Sequence, residues 1–330
     1  MYKYFPHWDG IANQGASGWN NTTYFMKCGS ERYVLRIYAH GDSDKIKFEH
    51  VVLEALQRYP LGFKVPVPMR TLTGDSIVKV EDGSGRNACL FTYIEGLRPE
   101  DGDSRAAYSF GVSAGELVNA LTHLQLDILP VYRPYYELQQ SYPACSQEAV
   151  THFCENPPEI FSDLQEPLRV LGHAYLEVGG RLDGLELLPQ QLIHGDLNFS
   201  NLLVDEAYPQ TVVALLDFEF CTRDVRAMEP AVIISGLLEQ KGDKEAIRQF
   251  WRGFNGKVQL TPAELSAIPL LMMLRKVDVF LHFMNRYLNR IDASDVLRQQ
   301  IQSLAVDIQR LTNDCIWIEK LLRNEITEME

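Results

Sequence analysis

Two short polar segments, each directly after an apolar stretch, constrain this chain more than any other feature of its sequence. The first runs from Ile193-His194-Gly195-Asp196 to Asn201, and the second is Leu215-Leu216-Asp217-Phe218-Glu219. Two carboxylates and an amide on loops beside short strands suit metal-assisted phosphoryl transfer. Asp196 can orient an acceptor hydroxyl and take its proton, while oxygens of Asn201 and Asp217 are the hard ligands that Mg²⁺ prefers. We therefore expect a fold that brings these three side chains to one cleft.

The N-terminal part of the chain has the pattern of a small sheet that carries one helix. Asp42 to Tyr59 have helical character, and Ser43 or Asp44 can cap that helix before Pro60 ends it. The β-prone stretches around it, each bounded by turn-forming residues, are 22–27, 33–38, 77–80 and 88–94. The order predicts two strands, a helix and two further strands.

After Gly96 the chain becomes mostly helical. A helical pattern covers 110–126, an insertion rich in Tyr, Pro and Ser covers 130–158, and almost everything after Ala227 is helical. We predict an α+β fold with two lobes, an antiparallel-sheet lobe at residues 1–95 and a mostly helical lobe at residues 96–330.

The final helix has a heptad seam. Its apolar residues alternate in steps of four and three, at Leu297, Ile301, Leu304, Ile308, Leu311, Cys315, Ile318 and Leu322. Such a seam can mark a coiled-coil partner. It is also compatible with a long helix that packs on its own lobe, which is the interpretation we favour.

The composition limits the partners and the compartment. The 330 residues carry a formal net charge of −13, whereas proteins that bind nucleic acid usually have a basic excess. Six widely spaced cysteines form no C-x-x-C pair, which is typical of reduced thiols in a cytoplasm. No signal peptide and no long apolar run is visible. We expect a cytoplasmic protein that binds neither nucleic acid nor a membrane.

The two polar segments resemble those of the aminoglycoside phosphotransferase and choline kinase-like family, which includes the type II homoserine kinases. Gly195 stands where protein kinases carry Arg, and Asp217-Phe218-Glu219 stands where they carry Asp-Phe-Gly. The resemblance implies a bilobal protein-kinase-like fold that uses ATP and Mg²⁺, in which the lobe at residues 1–95 binds the nucleotide and the lobe at residues 96–330 holds the catalytic groups and the acceptor. It also implies that Asp196 is the catalytic base and that Asn201 and Asp217 bind the metal.

The same resemblance extends, less specifically, to the nucleotide site. Arg36 occupies the position of the strand lysine that contacts phosphates, and Glu49, preferred over Glu54, resembles its ion-pair partner. The other residues that the resemblance assigns to the nucleotide are Gly15, Ser17 and Asn20 in the phosphate-covering loop and Thr92, Tyr93 and Ile94 in the hinge.

Several further residues have two possible roles. We expect His194 to brace the catalytic loop rather than act as a base, and His123 to lie in the core. Glu229 is expected to brace the same loop, whereas Asp224 could face the acceptor or cap the following helix. Tyr132, Tyr135 and Tyr136 could form an aromatic wall for a cationic acceptor or simply pack the insertion.

The identity of the acceptor is the main alternative that the sequence leaves open. We favour a hydroxyl group of an amino acid or amino alcohol such as homoserine, with an aminoglycoside, choline or ethanolamine as alternatives. A protein kinase is disfavoured because the catalytic loop lacks Arg and no Ala-Pro-Glu element follows Asp217. A non-catalytic, pseudokinase-like nucleotide-binding module is the alternative of another class, and Arg36 is its best support. The choice between ATP and GTP, and between monomer and homodimer, stays open.

Overall fold

The structure is a computed structural model, and it describes residues 1–5, 7, 10–15, 21–39, 42–100, 103–239 and 244–324. Its strands are β1 (Ile11–Gln14), β2 (Asn21–Cys28), β3 (Glu31–Tyr38), β4 (Val78–Lys79), β5 (Asn87–Thr92), β6 (Gln190–Ile193), β7 (Leu202–Val204), β8 (Val212–Leu215) and β9 (Thr222–Val225). Its α-helices are α1 (Ser43–Leu56), α2 (Ala107–Thr122), α3 (Leu138–Ser141), α4 (Gln147–Glu155), α5 (Gln165–Gly179), α6 (Met228–Glu239), α7 (Lys244–Asn255), α8 (Pro262–Leu288) and α9 (Ser294–Leu322).

The N-terminal sheet is antiparallel, with the strand order β1-β2-β3-β5-β4. Helix α1 buries Val52, Leu53 and Leu56 completely or almost completely. The predicted strands and helix occur in the predicted order, but the structure has a further strand, β1, before them, and β4 is shorter than the predicted 77–80. The predicted cap of α1 was wrong: Asp42 is the N-cap, and its Oδ1 accepts hydrogen bonds from the backbone N–H groups of Asp44 (3.2 Å) and Lys45 (3.4 Å).

A two-stranded hairpin of β7 and β8 is hydrogen-bonded on both of its edges to segments that precede α2. On one edge, the backbone of Leu97 exchanges two hydrogen bonds with Val204, at 2.9 and 2.8 Å. On the other edge, Lys64 donates to the carbonyl of Val213 and accepts from the N–H of Leu215. Gly96 has a φ of +147°, and a Cβ there would lie only 2.9 Å from Leu203 and Val213. The crossing between the lobes therefore requires glycine at this position.

The C-terminal lobe is a helical assembly in which α2 and α7 approach each other closely. A Cβ on Gly111 would lie 2.0 Å from the carbonyl oxygen of Phe250, and one on Gly253 would lie 2.3 Å from that of Tyr108. Small residues on both helices therefore set the distance between them. The predicted helix 110–126 ends earlier, at Thr122, and the prediction of His123 in the core was wrong because His123 is exposed just beyond that end.

The insertion at 130–158 is more regular than predicted, since it contains α3 and α4. Helix α8 begins with a capping box in which Thr261 and Glu264 satisfy each other's backbone N–H groups. Glu264 also forms a two-pronged ion pair with Arg226, just beyond β9, at 2.9 and 2.7 Å. This pair joins the start of α8 to the segment between β9 and α6.

The heptad seam of α9 faces the chain's own helices. Of its eight predicted positions, all but the half-buried Cys315 are buried, and α9 packs mainly on α8 and α5. The structure therefore agrees with the favoured interpretation, a long helix that packs on its own lobe. Within the described ranges, none of the helices has the length and apolar content that a membrane span requires.

Candidate active site

The loop that carries Asp196 begins where β6 ends at Ile193. Gly195 adopts a φ of +81°, and a Cβ there would lie 3.1 Å from the carbonyl oxygen of Phe220. This left-handed turn explains why glycine stands in this position. Nδ2 of Asn201 donates to the backbone carbonyl of Asp196 at 2.9 Å and to its Oδ2 at 3.3 Å. Asp196 and Asn201 are therefore in direct contact.

Two buried side chains hold this loop from below. Nδ1 of His194 accepts from the N–H of Asp196 at 3.3 Å, and its Nε2–H donates to the carbonyl of Leu216 at 3.0 Å. Burial lowers the pKa of His194 to about 4, so the ring is neutral near pH 7. Glu229 at the start of α6 accepts from the N–H of His194 at 2.5 Å. Both side chains contact the loop backbone, which is the bracing arrangement that the sequence led us to expect.

Asp217 lies two residues beyond the end of β8 in a strained left-handed conformation, with φ 68° and ψ 59°. A non-glycine residue adopts this conformation only where its surroundings hold it, and such strain concentrates at functional sites. The N–H of Leu216 donates to the carbonyl of Asn201 at 2.8 Å, which joins the Asp217 segment to the Asp196 loop. The three side chains at 196, 201 and 217 are thus linked through one set of loop contacts.

Arg36 on β3 lies between two carboxylates. Its Nη1 is 3.0 Å from Oε1 of Glu49 on α1 and 3.2 Å from Oδ1 of Asp217. Burial opposes the charge of Arg36, but Asp217 and Glu49 together raise its pKa well above the ordinary value. Glu54, the competing partner, pairs with Arg70 instead. A buried guanidinium therefore joins the two lobes at the Asp217 loop.

The oxygens of Asn201 and Asp217 fit a magnesium site. Oδ1 of Asp217 is buried, and apart from its ion pair with Arg36 it accepts no hydrogen bond from the described residues. The amide nitrogen of Asn201 is directed at Asp196, which leaves its oxygen as the atom available to a cation. The described ranges contain no cluster of three His, Cys, Asp or Glu side chains spaced for a metal. Mg²⁺ needs none, since it commonly binds one or two protein ligands together with waters and substrate phosphates.

The described residues predicted to line the phosphate-covering loop and the hinge lie in two places, beside the β1–β2 pair and at the end of β5. The N–H of Gly15 donates to the carbonyl of Thr23 at 2.8 Å, so Gly15 continues the β1–β2 pairing. Ser17 and Asn20 lie outside the described residues. Thr92 is the last residue of β5. The guanidinium carbon of Arg32 lies 4.1 Å from the centroid of the Tyr93 ring. Thr92, Tyr93 and Ile94 line one side of a cavity of about 400 Å³, and Leu56 at the end of α1 lines another part of it.

The structure adds one residue to the site that the sequence analysis missed. Nη2 of Arg275 donates to Oδ1 of Asp196 at 2.5 Å, and its Nη1 donates to the hydroxyl of Tyr135 at 2.8 Å. The Tyr135 hydroxyl in turn donates to the carbonyl of Gly195 at 2.7 Å. Arg275 lies in the middle of α8, and the sequence around it has no motif that would signal a role. Its position depends on the tertiary packing alone.

Asp224 and the tyrosines of the insertion also have clear positions. Asp224 is buried on β9 and accepts from the N–H groups of Tyr135 (2.5 Å) and Val225 (2.6 Å), so it anchors the insertion rather than capping a helix. Burial raises its pKa to about 7. Tyr132 packs against Phe220, with the ammonium group of Lys45 over its ring at 4.2 Å. Tyr132 and Tyr135 thus make the packing contacts of a structured insertion.

Comparisons with known proteins agree with this geometry. A sequence profile of the phosphotransferase enzyme family (APH) matches residues 12–267. A homoserine kinase from Beijerinckia indica subsp. indica is 24% identical over 271 residues, which is 78% of this chain and 74% of the relative.

Solved structures show the same fold. The microcompartment-associated aminopropanol kinase superposes with a TM-score of 0.69, at 18% identity and with 96% of each chain covered. The GDP and kanamycin complex of APH(2")-IIia superposes with a TM-score of 0.67, at 17% identity and with 93% of this chain and 96% of that chain covered. The predicted bilobal, protein-kinase-like α+β fold is confirmed.

Proposed function

The chain belongs to the phosphotransferase enzyme family and is a small-molecule kinase, and from this premise we propose that it transfers the γ-phosphate of MgATP to a hydroxyl group of homoserine or a closely related amino acid. One observation carries the proposal. Asp196 and Asn201 are in hydrogen-bond contact, and Asp217 is joined to them through the Leu216–Asn201 backbone hydrogen bond. This is the set of oxygens that phosphoryl transfer to an alcohol requires.

Each of these groups has a role in the proposed reaction. Asp196 orients the acceptor hydroxyl toward the phosphate and accepts its proton, while Asn201 and Asp217 are the ligands for Mg²⁺. Bound Mg²⁺ would compensate the charge of the transferring phosphoryl group. Arg36, kept charged by Glu49 and Asp217, supplies the cation that faces the phosphates from the sheet lobe. The rate gain would come from positioning and charge stabilisation.

Two considerations support homoserine as the acceptor. The homoserine kinase from Beijerinckia indica is similar to this chain over most of both lengths. In addition, Asp196 forms an ion pair with Arg275. A polycationic aminoglycoside would favour an acidic site, and the positive charge of Arg275 makes this site less suited to it. ATP rather than GTP as the phosphate donor is part of the proposal and is tested with it.

The test is release of ADP or GDP from the purified protein, with Mg²⁺ and each nucleotide, across homoserine, threonine, choline, methylthioribose and kanamycin. We expect turnover with homoserine and ATP. Asp196→Asn should reduce turnover by about a hundredfold to ten-thousandfold, because general base catalysis contributes that much, while ADP binding is retained. Asp183→Asn is the matched control, since Asp183 is exposed and outside the site. Unchanged turnover in Asp196→Asn would remove Asp196 from its role. Nucleotide binding with no product from any acceptor would favour the non-catalytic alternative.

A further inference from the structure

Arg275 places a positive charge where the acceptor must approach. Its Nη2 hydrogen-bonds to Asp196. Both side chains are partly exposed to solvent, that of Arg275 to 23% and that of Asp196 to 18%. An acceptor hydroxyl that reaches Asp196 must therefore come within a few ångströms of the guanidinium. The acceptor site at Asp196 therefore contains a cation beside the base.

The surroundings of Arg275 are arranged to hold its charge in place. Its Nη1 hydrogen-bonds to Tyr135 and lies 3.7 Å from Oδ2 of Asp278, one turn further along α8. Asp278 is fixed in turn by the hydroxyl of Tyr142, which donates to its Oδ1 at 2.8 Å. Burying such a cluster is costly, and an apolar side chain of similar size is often as stable or more stable at a buried ion pair. Stability alone therefore gives no reason for an arginine here.

The charges of this cluster are complementary to those of an amino acid. Arg275 is a cation with five N–H donors, and the contacts described above use only two of its nitrogens, so donors remain for a ligand. Asp196 and Asp278 are two carboxylates within reach of it. A zwitterionic acceptor brings one carboxylate for the guanidinium and one ammonium group for the acids. A guanidinium and a carboxylate form one of the strongest polar contacts in proteins.

This inference rests on the proposed function and deepens it. We propose that Arg275 binds the carboxylate of an amino-acid acceptor and thereby selects amino acids over amino alcohols and polyamines. Binding moves Arg275 from a partner of the base to a partner of the substrate, with its charge compensated in both states. An acceptor that has ammonium groups but no carboxylate would place its charge beside Arg275 without compensation.

The test compares homoserine with 3-amino-1-propanol, which is homoserine without its carboxylate. In the wild type we expect kcat/KM for homoserine to exceed that for 3-amino-1-propanol by about a hundredfold, as expected for charge-assisted hydrogen bonds. Arg275→Met should bring the ratio to within about fivefold of one. Arg275→Lys, which keeps the charge but loses the forked geometry, should give an intermediate ratio. The ratio cancels any general effect of the substitution on Asp196, because both acceptors use the same base.

Arg286→Met is the matched control, since Arg286 lies on the same helix and pairs with Asp292 rather than with the site. It should keep the wild-type ratio. Binding of homoserine to the MgADP complex, measured by calorimetry, is a second readout that needs no turnover and tolerates partly active variants. It should weaken about a hundredfold in Arg275→Met, with thermal unfolding used to check that the variant is folded.

The outcomes separate this inference from the proposed function. A wild-type ratio near one, or a ratio that is unchanged in Arg275→Met, overturns the role of Arg275 while leaving the kinase function intact. Homoserine that binds in an Arg275-dependent way but is never phosphorylated supports the inference and overturns the proposed reaction. Neither binding nor turnover of homoserine overturns both.

Discussion

Glu229 shows how much a single buried carboxyl group contributes to the Asp196 loop. It is fully buried at the start of α6, and it accepts hydrogen bonds from the backbone of the loop. Burial raises its pKa to about 8, although the hydrogen bonds from His194 and Gly195 partly oppose this. The protonated form is thus favoured in the folded protein over a range where an exposed Glu is ionised.

The raised pKa of Glu229 predicts a pH dependence of stability. A raised carboxyl pKa contributes stability that is complete below the unfolded pKa of about 4.3 and is lost as the pH rises toward 8. Glu229→Gln lacks this pH-dependent loss. The free energy of unfolding of the variant, relative to that of the wild type, should therefore rise by about 2–4 kcal/mol from pH 5 to pH 8. Urea unfolding at several pH values measures the difference. A difference that stays constant across this range would contradict the assignment.

At the residue scale, the sequence indicated the groups whose identity is fixed by local chemistry. Asp196, Asn201 and Asp217 follow strands in a recognisable spacing, and the structure brings them together. The choice of Glu49 over Glu54 agrees with the ion pair to Arg36. Arg275 could not be predicted, because it reaches Asp196 across 79 positions of sequence through the packing of α8. A charged residue in a helix is usually a solvated one, and the pattern gives no sign of the exception.

At the scale of elements, the close approach of α2 and α7 makes a contrast between two glycines. A Cβ on Gly111 would overlap the backbone of α7, whereas a Cβ on Gly236 in α6 meets nothing within 4 Å. Gly111→Ala should therefore lower the free energy of unfolding by about 1–3 kcal/mol through overpacking. Gly236→Ala should raise it by about 0.5–1 kcal/mol, because alanine favours the helix. Chemical denaturation measures the change in the free energy of unfolding of each variant. Changes of the same sign in the two variants would refute the packing argument.

Helix α9 offers a second contrast between a buried and an exposed face. Ile301 is fully buried in the seam, and Val306 is about half exposed, with 52% of its surface accessible. Ile301→Ala should cost about 2–5 kcal/mol of unfolding free energy, whereas Val306→Ala should change it by less than about 0.5 kcal/mol. Thermal and urea unfolding provide the measurement. A costly Val306→Ala would indicate that the outer face is covered by a partner.

Secondary structure was most predictable where the hydrophobic pattern is long. The seam of α9 and the order of the N-terminal strands follow directly from periodicity. Strand β9 has only four residues, so it lacks enough positions to show a pattern, and it forms because it pairs with β6. The helices α3 and α4 lie among Tyr, Pro and Ser, whose composition suggested an irregular insertion.

At the scale of the whole molecule, Arg36 on the sheet lobe and Asp217 on the helical lobe face each other across the cleft. Asp217→Asn should abolish the part of ADP affinity that depends on Mg²⁺, because the metal loses a carboxylate ligand. Affinity for ADP without Mg²⁺ should change by less than about threefold, since Arg36 keeps Glu49 as a partner. Calorimetry with and without Mg²⁺ measures both quantities. An undiminished Mg²⁺ effect would exclude Asp217 as a ligand.

The hairpin of β7 and β8 has a consequence for any attempt to divide this protein into fragments. A break between residues 95 and 96 would sever the backbone beside Leu97, and separate pieces would leave the backbone of Lys64 on one side and the β8 edge at Val213 and Leu215 on the other without their partners. Unpaired strand edges expose backbone groups to aggregation. The position where the chain passes from one half to the other is therefore a poor place to cut it. We expect the two halves to regain their structure only when they are expressed together.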